Sequence, residues 1–220
     1  MLAVIGAING VAPVAAPVIG GLLTGSVGWQ GIFMILLFIG ILLGIGCIRF
    51  KESLPAEKRS KTGVWATFRS FGIIVHNRRY MLYVFQLAFA QGILFAYIAS
   101  SPFIIQQHYG FSPFAFSICF AVNAVAIGVA AALSVKFRRT ENGTLTGCVG
   151  MLVFAVLQMA ALYSGCGFWT YELLMFALLF MMGLTFTAST TLAMDCERRY
   201  AGAASALLGA LCFASGGIVS

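Results

Sequence analysis

The sequence predicts an all-α fold, a polytopic membrane helical bundle, and two observations carry that prediction. Hydrophobic residues make up 61% of the 220 residues and charged residues only 9%. Soluble domains average about 45–50% apolar and roughly 25% charged, so this chain has too few charges to cover a water-facing surface. The second observation is the sorting of charge. All thirteen Lys and Arg fall in alternate connections between seven apolar stretches.

The apolar stretches are 2–23, 29–48, 80–98, 113–135, 145–163, 172–194 and 201–220. Each is near the ~20 residues that a helix needs to cross a hydrocarbon core of ~30 Å. Lipid cannot satisfy exposed backbone groups, so an open chain crosses it as helix. Arg49, Lys51, Lys58, Arg59, Lys61, Arg69, Arg78 and Arg79 lie between spans two and three. Lys136, Arg138 and Arg139 lie between spans four and five, and Arg198 and Arg199 between spans six and seven. The other connections, Thr24–Gly28, Ala99–Ser112 and Ser164–Tyr171, carry no Lys or Arg. A wrong helix count would scramble this alternation. The positive-inside rule then places the charged connections and the N-terminus in the cytoplasm. The net charge of +7 sits in those connections, which argues against a nucleic-acid partner.

One connection is long. Residues 50–79 open with the polar run Lys51–Lys61 and continue over 64–75. There Trp65, Phe68 and Phe71 recur every three residues. The spacing fits a short helix in the membrane interface, or a plain linker with scattered aromatics. The chain thus divides into residues 1–49 (two helices), a linker 50–79, and residues 80–220 (five helices). Both ends lie inside apolar stretches without polar flanks, so the expectation is a fragment of a larger helical protein.

Candidate functional groups are few. Intramembrane polar residues are functional candidates because their burial is costly. Glu172 is expected at the outer edge of span six, within reach of water, which leaves no intramembrane proton carrier. Gln91 and Asn123 lie near mid-depth of spans three and four, where an amide can line a cavity or bond a neighbouring helix. Phe95, Tyr97 and Phe186 fit an apolar cavity lining or ordinary core packing. Span one carries Gly6, Gly10, Pro13, Pro17, Gly20 and Gly21, a pattern for close approach and kinking at a moving or a static interface. In span seven, Gly202, Ala206, Ala210 and Ala214 form a smooth face expected to pack tightly. The six cysteines form no CxxC pair and imply neither disulfides nor a metal. His76 and His108 lie on opposite sides with no carboxylate spaced to join either, and no catalytic motif is present, so no enzyme and no cofactor is expected.

Several segments carry a family resemblance. Ala16–Gly21 resembles the end of the antiporter motif on helix five of the major facilitator superfamily, with Pro17, Gly20 and Gly21 matching and Ala12 and Ala16 replacing glycines. Gly28–Phe33 is similar to the opening of helix six, and Lys51–Pro55 resembles an ETLP signature. Phe95–Pro113 and Ala201–Leu211 look like the helix seven-to-eight connection and helix eleven. The chain is identified as a member of the Bcr/CflA (bicyclomycin-resistance-type) group of drug-efflux transporters, covering helices five to eleven of twelve. The resemblance implies proton-coupled export of small amphipathic drugs across a bacterial inner membrane by a protein that is monomeric when complete. It also implies that the family's acidic residue in helix one lies outside this chain. A metabolite transporter of the same fold and a non-transporting seven-helix protein are the alternatives.

Overall fold

The computed structural model describes the backbone of residues 2–49, 64–134, 136–137 and 139–219. Within these, the side chains of 2–18, 21, 22, 24, 25 and 64–68 are not described. Among the described residues the regular structure is helical: α1 (Leu2–Arg49), α2 (Val64–His76), α3 (Arg78–Pro102), α4 (Pro113–Ser134), α5 (Thr140–Tyr163), α6 (Phe168–Cys196) and α7 (Ala201–Val219). A π-helical turn over Phe103–His108 extends α3, and a 3-10 turn over Arg198–Tyr200 leads into α7. Among the described residues six helical segments are long and apolar enough to cross a membrane, beginning with Ser26–Arg49.

α1 contains the first two expected spans. They meet at Gly28, whose φ of 66° and ψ of 177° break the helix. That backbone region is open essentially to glycine alone, so the expected connection 24–28 contracts to one residue. Glycines in left-handed φ also sit in the other two charge-free connections, Gly110 at 73° and Gly165 at 70°. A residue without Cβ reverses the chain there at little steric cost.

The connection expected over 99–112 is shorter than the sequence implied. α3 continues through Pro102, and the Tyr109 N–H donates to the Ile104 carbonyl at 3.1 Å. The wide turn keeps backbone groups bonded past the proline, and Ile105 is fully buried. α2 stands where the spacing over 64–75 predicts a helix. Ile74 extends the aromatic stripe by three residues and is buried against Tyr80, Val84, Ala193 and Ala204. α2 therefore packs on α3 and α7.

α6 is the centre of the bundle. It packs against α3, α4 and α5, while α3 bridges it to α7 and α1 lies beside α4. Ten residues of α6 are buried, against four on α5 and three on α7. Small residues permit the approach. A Cβ on Gly183 would lie 2.5 Å from the Ile127 carbonyl oxygen, and one on Gly147 would lie 2.8 Å from that of Met181. The α3–α7 contact is pinned by two hydrogen bonds, from the Tyr80 hydroxyl to the Ala204 carbonyl and from the Ser215 hydroxyl to the Ala88 carbonyl, each 2.6 Å.

The smooth face expected on α7 packs the other way. Gly202, Ala206, Ala210 and Ala214 are exposed, and the buried line is Ala204, Cys212 and Gly216. The reason is directional: Ala204 and Ser215 meet the polar and small groups of α3, and two residues along a helix turn the face by roughly 200°.

Gly183→Ala is expected to destabilise the bundle by about 1–3 kcal/mol through overpacking against α4. Gly202→Ala, with no atom within 4 Å of the added carbon, is expected to be neutral or mildly stabilising. Thermal unfolding in detergent compares them, and equal behaviour of the two variants would contradict the α4–α6 packing.

Candidate functional site

The polar groups of the bundle gather where three helices meet. Asn123, halfway along α4, is fully buried. Its amide nitrogen donates to the Tyr97 hydroxyl of α3 at 3.0 Å and to Oε1 of Glu172 on α6 at 2.8 Å. One side chain thus ties α4 to both neighbours. Tyr97 is held by stacking on Phe120, with ring centroids 5.5 Å apart and planes 15° from parallel. Glu172 is half-buried, and its second carboxylate oxygen is shut off from solvent without a partner. The Asn123 carbonyl oxygen and the hydroxyl of the fully buried Tyr171 are in the same condition.

Glu172 therefore differs from expectation. Its position in the second turn of α6 suggested an edge residue in contact with water. The carboxyl instead turns inward to the mid-span amide. A clue was present in the sequence: it is the one acidic residue of six that does not flank a cationic connection.

A second polar seam runs towards the cationic end. The Gln86 amide of α3 donates to the Thr185 hydroxyl of α6 at 3.2 Å, and that hydroxyl donates to the Thr144 carbonyl of α5 at 3.1 Å. Ser189 donates to the Thr144 hydroxyl at 3.2 Å. At the cationic end itself, Asn77 caps α3 by accepting from the Tyr80 N–H and donates to Glu197 at 2.6 Å. The charge-free end is closed by aromatics. The Tyr109 hydroxyl donates to the Cys166 carbonyl at 3.0 Å, and its ring meets Phe168 and Tyr171. Burial, then the hydrogen bond to Cys166, pushes the Tyr109 phenol up to about 12, so it stays an uncharged donor at ordinary pH.

The other sequence candidates are dispersed. Phe95 is half-buried and meets Phe213 of α7 edge-on at 6.3 Å, above Gly216. Phe95 and Tyr97, two residues apart, face opposite sides of α3. Gln91 and Phe186 are half-buried, and the Gln91 side chain forms no hydrogen bond among the described residues. α1 passes through Pro17, Gly20 and Gly21, but the side chains at 17 and 21 lie outside the described residues. A Cβ added at Gly20 would meet nothing within 4 Å. The structure thus brings Asn123 together with Tyr97 and Glu172, and not with Gln91 or Phe95.

A bundle of long apolar helices joined through buried amides, hydroxyls and one carboxyl defines a multi-pass membrane protein. The profile of the Major Facilitator Superfamily matches residues 1–220, and the chain belongs to that superfamily, whose members are transporters and not enzymes. It is 36% identical over 220 residues to the uncharacterized MFS-type transporter YdgK of Bacillus subtilis, covering 97% of this chain and 54% of that protein. It is 28% identical over 222 residues to a bicyclomycin resistance protein homolog of Haemophilus influenzae, covering 94% of this chain and 53% of the relative. A shorter match, 26% over 104 residues, is to the multidrug transporter MdfA of Edwardsiella ictaluri and covers 47% of this chain and 25% of that one. The chain spans about half the length of the first two relatives.

Asn123→Ala is expected to cost about 1–3 kcal/mol, because it strands the Tyr97 hydroxyl and the Glu172 carboxyl together. Tyr97→Phe should cost less, since Asn123 still holds Glu172. The double variant should lose less than the sum of the singles when unfolding is followed in detergent. Strict additivity would mean that the amide and the phenol do not interact.

Proposed function

We propose that this chain is the helix five-to-eleven portion of a proton-coupled exporter of small amphipathic drug-like molecules, of the Bcr/CflA type. It belongs in a bacterial inner membrane with its N-terminus in the cytoplasm, as part of a protein that is monomeric when complete. The observation that carries this reading is the alignment of 94% of the chain with a bicyclomycin resistance protein homolog. The match of its part to a multidrug transporter supports it.

In this reading residues 1–49 end one bundle, residues 50–79 link the bundles, and residues 80–220 begin the second. The two bundles rock about a midplane site and expose it to each side in turn. Pro17, Gly20 and Gly21 give α1 a small, kinkable face for that interface. The half-buried Gln91, Phe95 and Phe186 are the candidates for contact with an apolar substrate. Asn123 acts from behind them by fixing α4 to α3 and α6.

The test is export from bacteria stripped of their own efflux pumps. Cells making the complete polypeptide that carries this chain should accumulate less of a lipophilic dye than control cells, and a protonophore should abolish the difference. Cells making only these 220 residues should not export, because most of one bundle is missing. Export by the 220 residues alone would refute the two-bundle reading, and a complete protein that moved metabolites but no drug would refute the substrate class.

A further inference from the structure

The sequence left this chain without a proton carrier, and the geometry around Glu172 supplies one. Three helices converge on its carboxyl group. Asn123 of α4 bonds it directly and also holds the Tyr97 hydroxyl of α3, and Cys119 of α4 lies close enough to interact with the charge of Glu172. Its own helix adds Tyr171, which in turn lies against Tyr109 from the turn after α3. At this end α5 brings only the exposed Tyr163, and the one titratable group of α7, Cys212, interacts with Tyr80. The nearest neighbours are thus phenols and a thiol, and the one base at this end among the described residues, His108, stands edge-on to Tyr109 at 4.8 Å, beyond Tyr171. Arg198–Asp195 is the one ion pair among the described residues, and among them no cation pairs with Glu172.

Two acceptor oxygens at this site have no donor within bonding reach, although the unpartnered Tyr171 hydroxyl is buried beside them. An ionised carboxylate only accepts, and an amide oxygen only accepts. One carboxylate oxygen is served by Asn123, while the other, together with the Asn123 oxygen, is buried with nothing to accept from. A charged or polar group left in this state within a membrane bundle is costly and marks a functional position. Both of these oxygens are out of contact with solvent, while the Glu172 side chain as a whole is partly exposed.

We propose that Glu172 is a proton-binding site of this chain, with Asn123 and Tyr97 as its positioning residues. A hydronium ion reaching the charge-free end gives its proton to the carboxylate. Water leaves, and the group goes from one negative charge to none. The reverse transfer to water returns the charge. Asn123 serves both states because its amide has donors at one end and an acceptor at the other. Rotated end for end, the amide accepts from the carboxylic acid and from the Tyr97 hydroxyl in place of donating to them. Proton binding stands on this geometry alone, and only its use in transport rests on the exporter reading.

Infrared spectroscopy of the chain in lipid nanodiscs tests the proposal, with samples matched for helical circular dichroism. As pH falls from about 9 to about 4, a protonated-carboxyl carbonyl band should grow that is missing from Glu172→Gln. In Asn123→Ala its frequency should shift, because its hydrogen-bond partner has gone. Identical wild-type and Glu172→Gln spectra would overturn the proposal. So would a Glu172 band that stays constant across the range, since a carboxyl that never releases carries nothing. An unshifted band in Asn123→Ala would remove Asn123 from the site. The titration uses no substrate, so it can fail while drug export stands, or succeed if the substrate proves to be a metabolite.

Discussion

Everything in this bundle answers to one constraint: the hydrocarbon around it offers no hydrogen bonds. Backbone groups are therefore closed within helices, and polar side chains must find partners on neighbouring helices. α6 is where most of those partnerships meet. It receives Gln86 from α3, Asn123 from α4 and Thr144 from α5. Its glycine and the glycines of α5 bring backbones close enough for such short side chains to reach across. Small residues and polar contacts are thus one device, since neither would hold the helices without the other.

The same constraint explains what could be read from the sequence. Charge is expensive in lipid, so Lys and Arg mark the connections directly, and the helix count followed from them. The helix over Val64–His76 was legible because Trp65, Phe68 and Phe71 repeat at helical spacing beside polar residues. The spans themselves show no such contrast. A helix that is apolar all round gives no periodic signal for which face is inside. That is why the small face of α7 was assigned to packing when Ala204 and Gly216 hold that place. Gly143, Gly147 and Gly150 face α6 or its neighbours at spacings plain in the sequence, yet nothing local distinguished them from the exposed glycines.

Glu172 escaped for a different reason. Its depth was judged from its distance along the helix, and a side chain's direction cannot be judged that way. The structure turns the carboxyl towards Asn123, and that amide bonds side chains of two neighbouring helices. Gln91, chosen for its depth on α3, and Phe95, chosen as an aromatic, face away from that group. Depth is legible in an apolar sequence, and azimuth is not.

The central claim is that α6 is held at close range by its neighbours through short polar side chains, and a single cross-link tests it most directly. Cys148 of α5 lies with its sulfur 3.5 Å from the Thr185 hydroxyl of α6. Thr185→Cys should therefore form an intramolecular disulfide with Cys148 on mild oxidation in membranes, since the separation is within reach of disulfide geometry after a small side-chain adjustment. The account predicts that this bond forms readily and is lost when Cys148 is replaced by Ala. Two thiols that stay free under oxidation, yet both react with alkylating reagent after unfolding, would contradict the placement of α6 against α5.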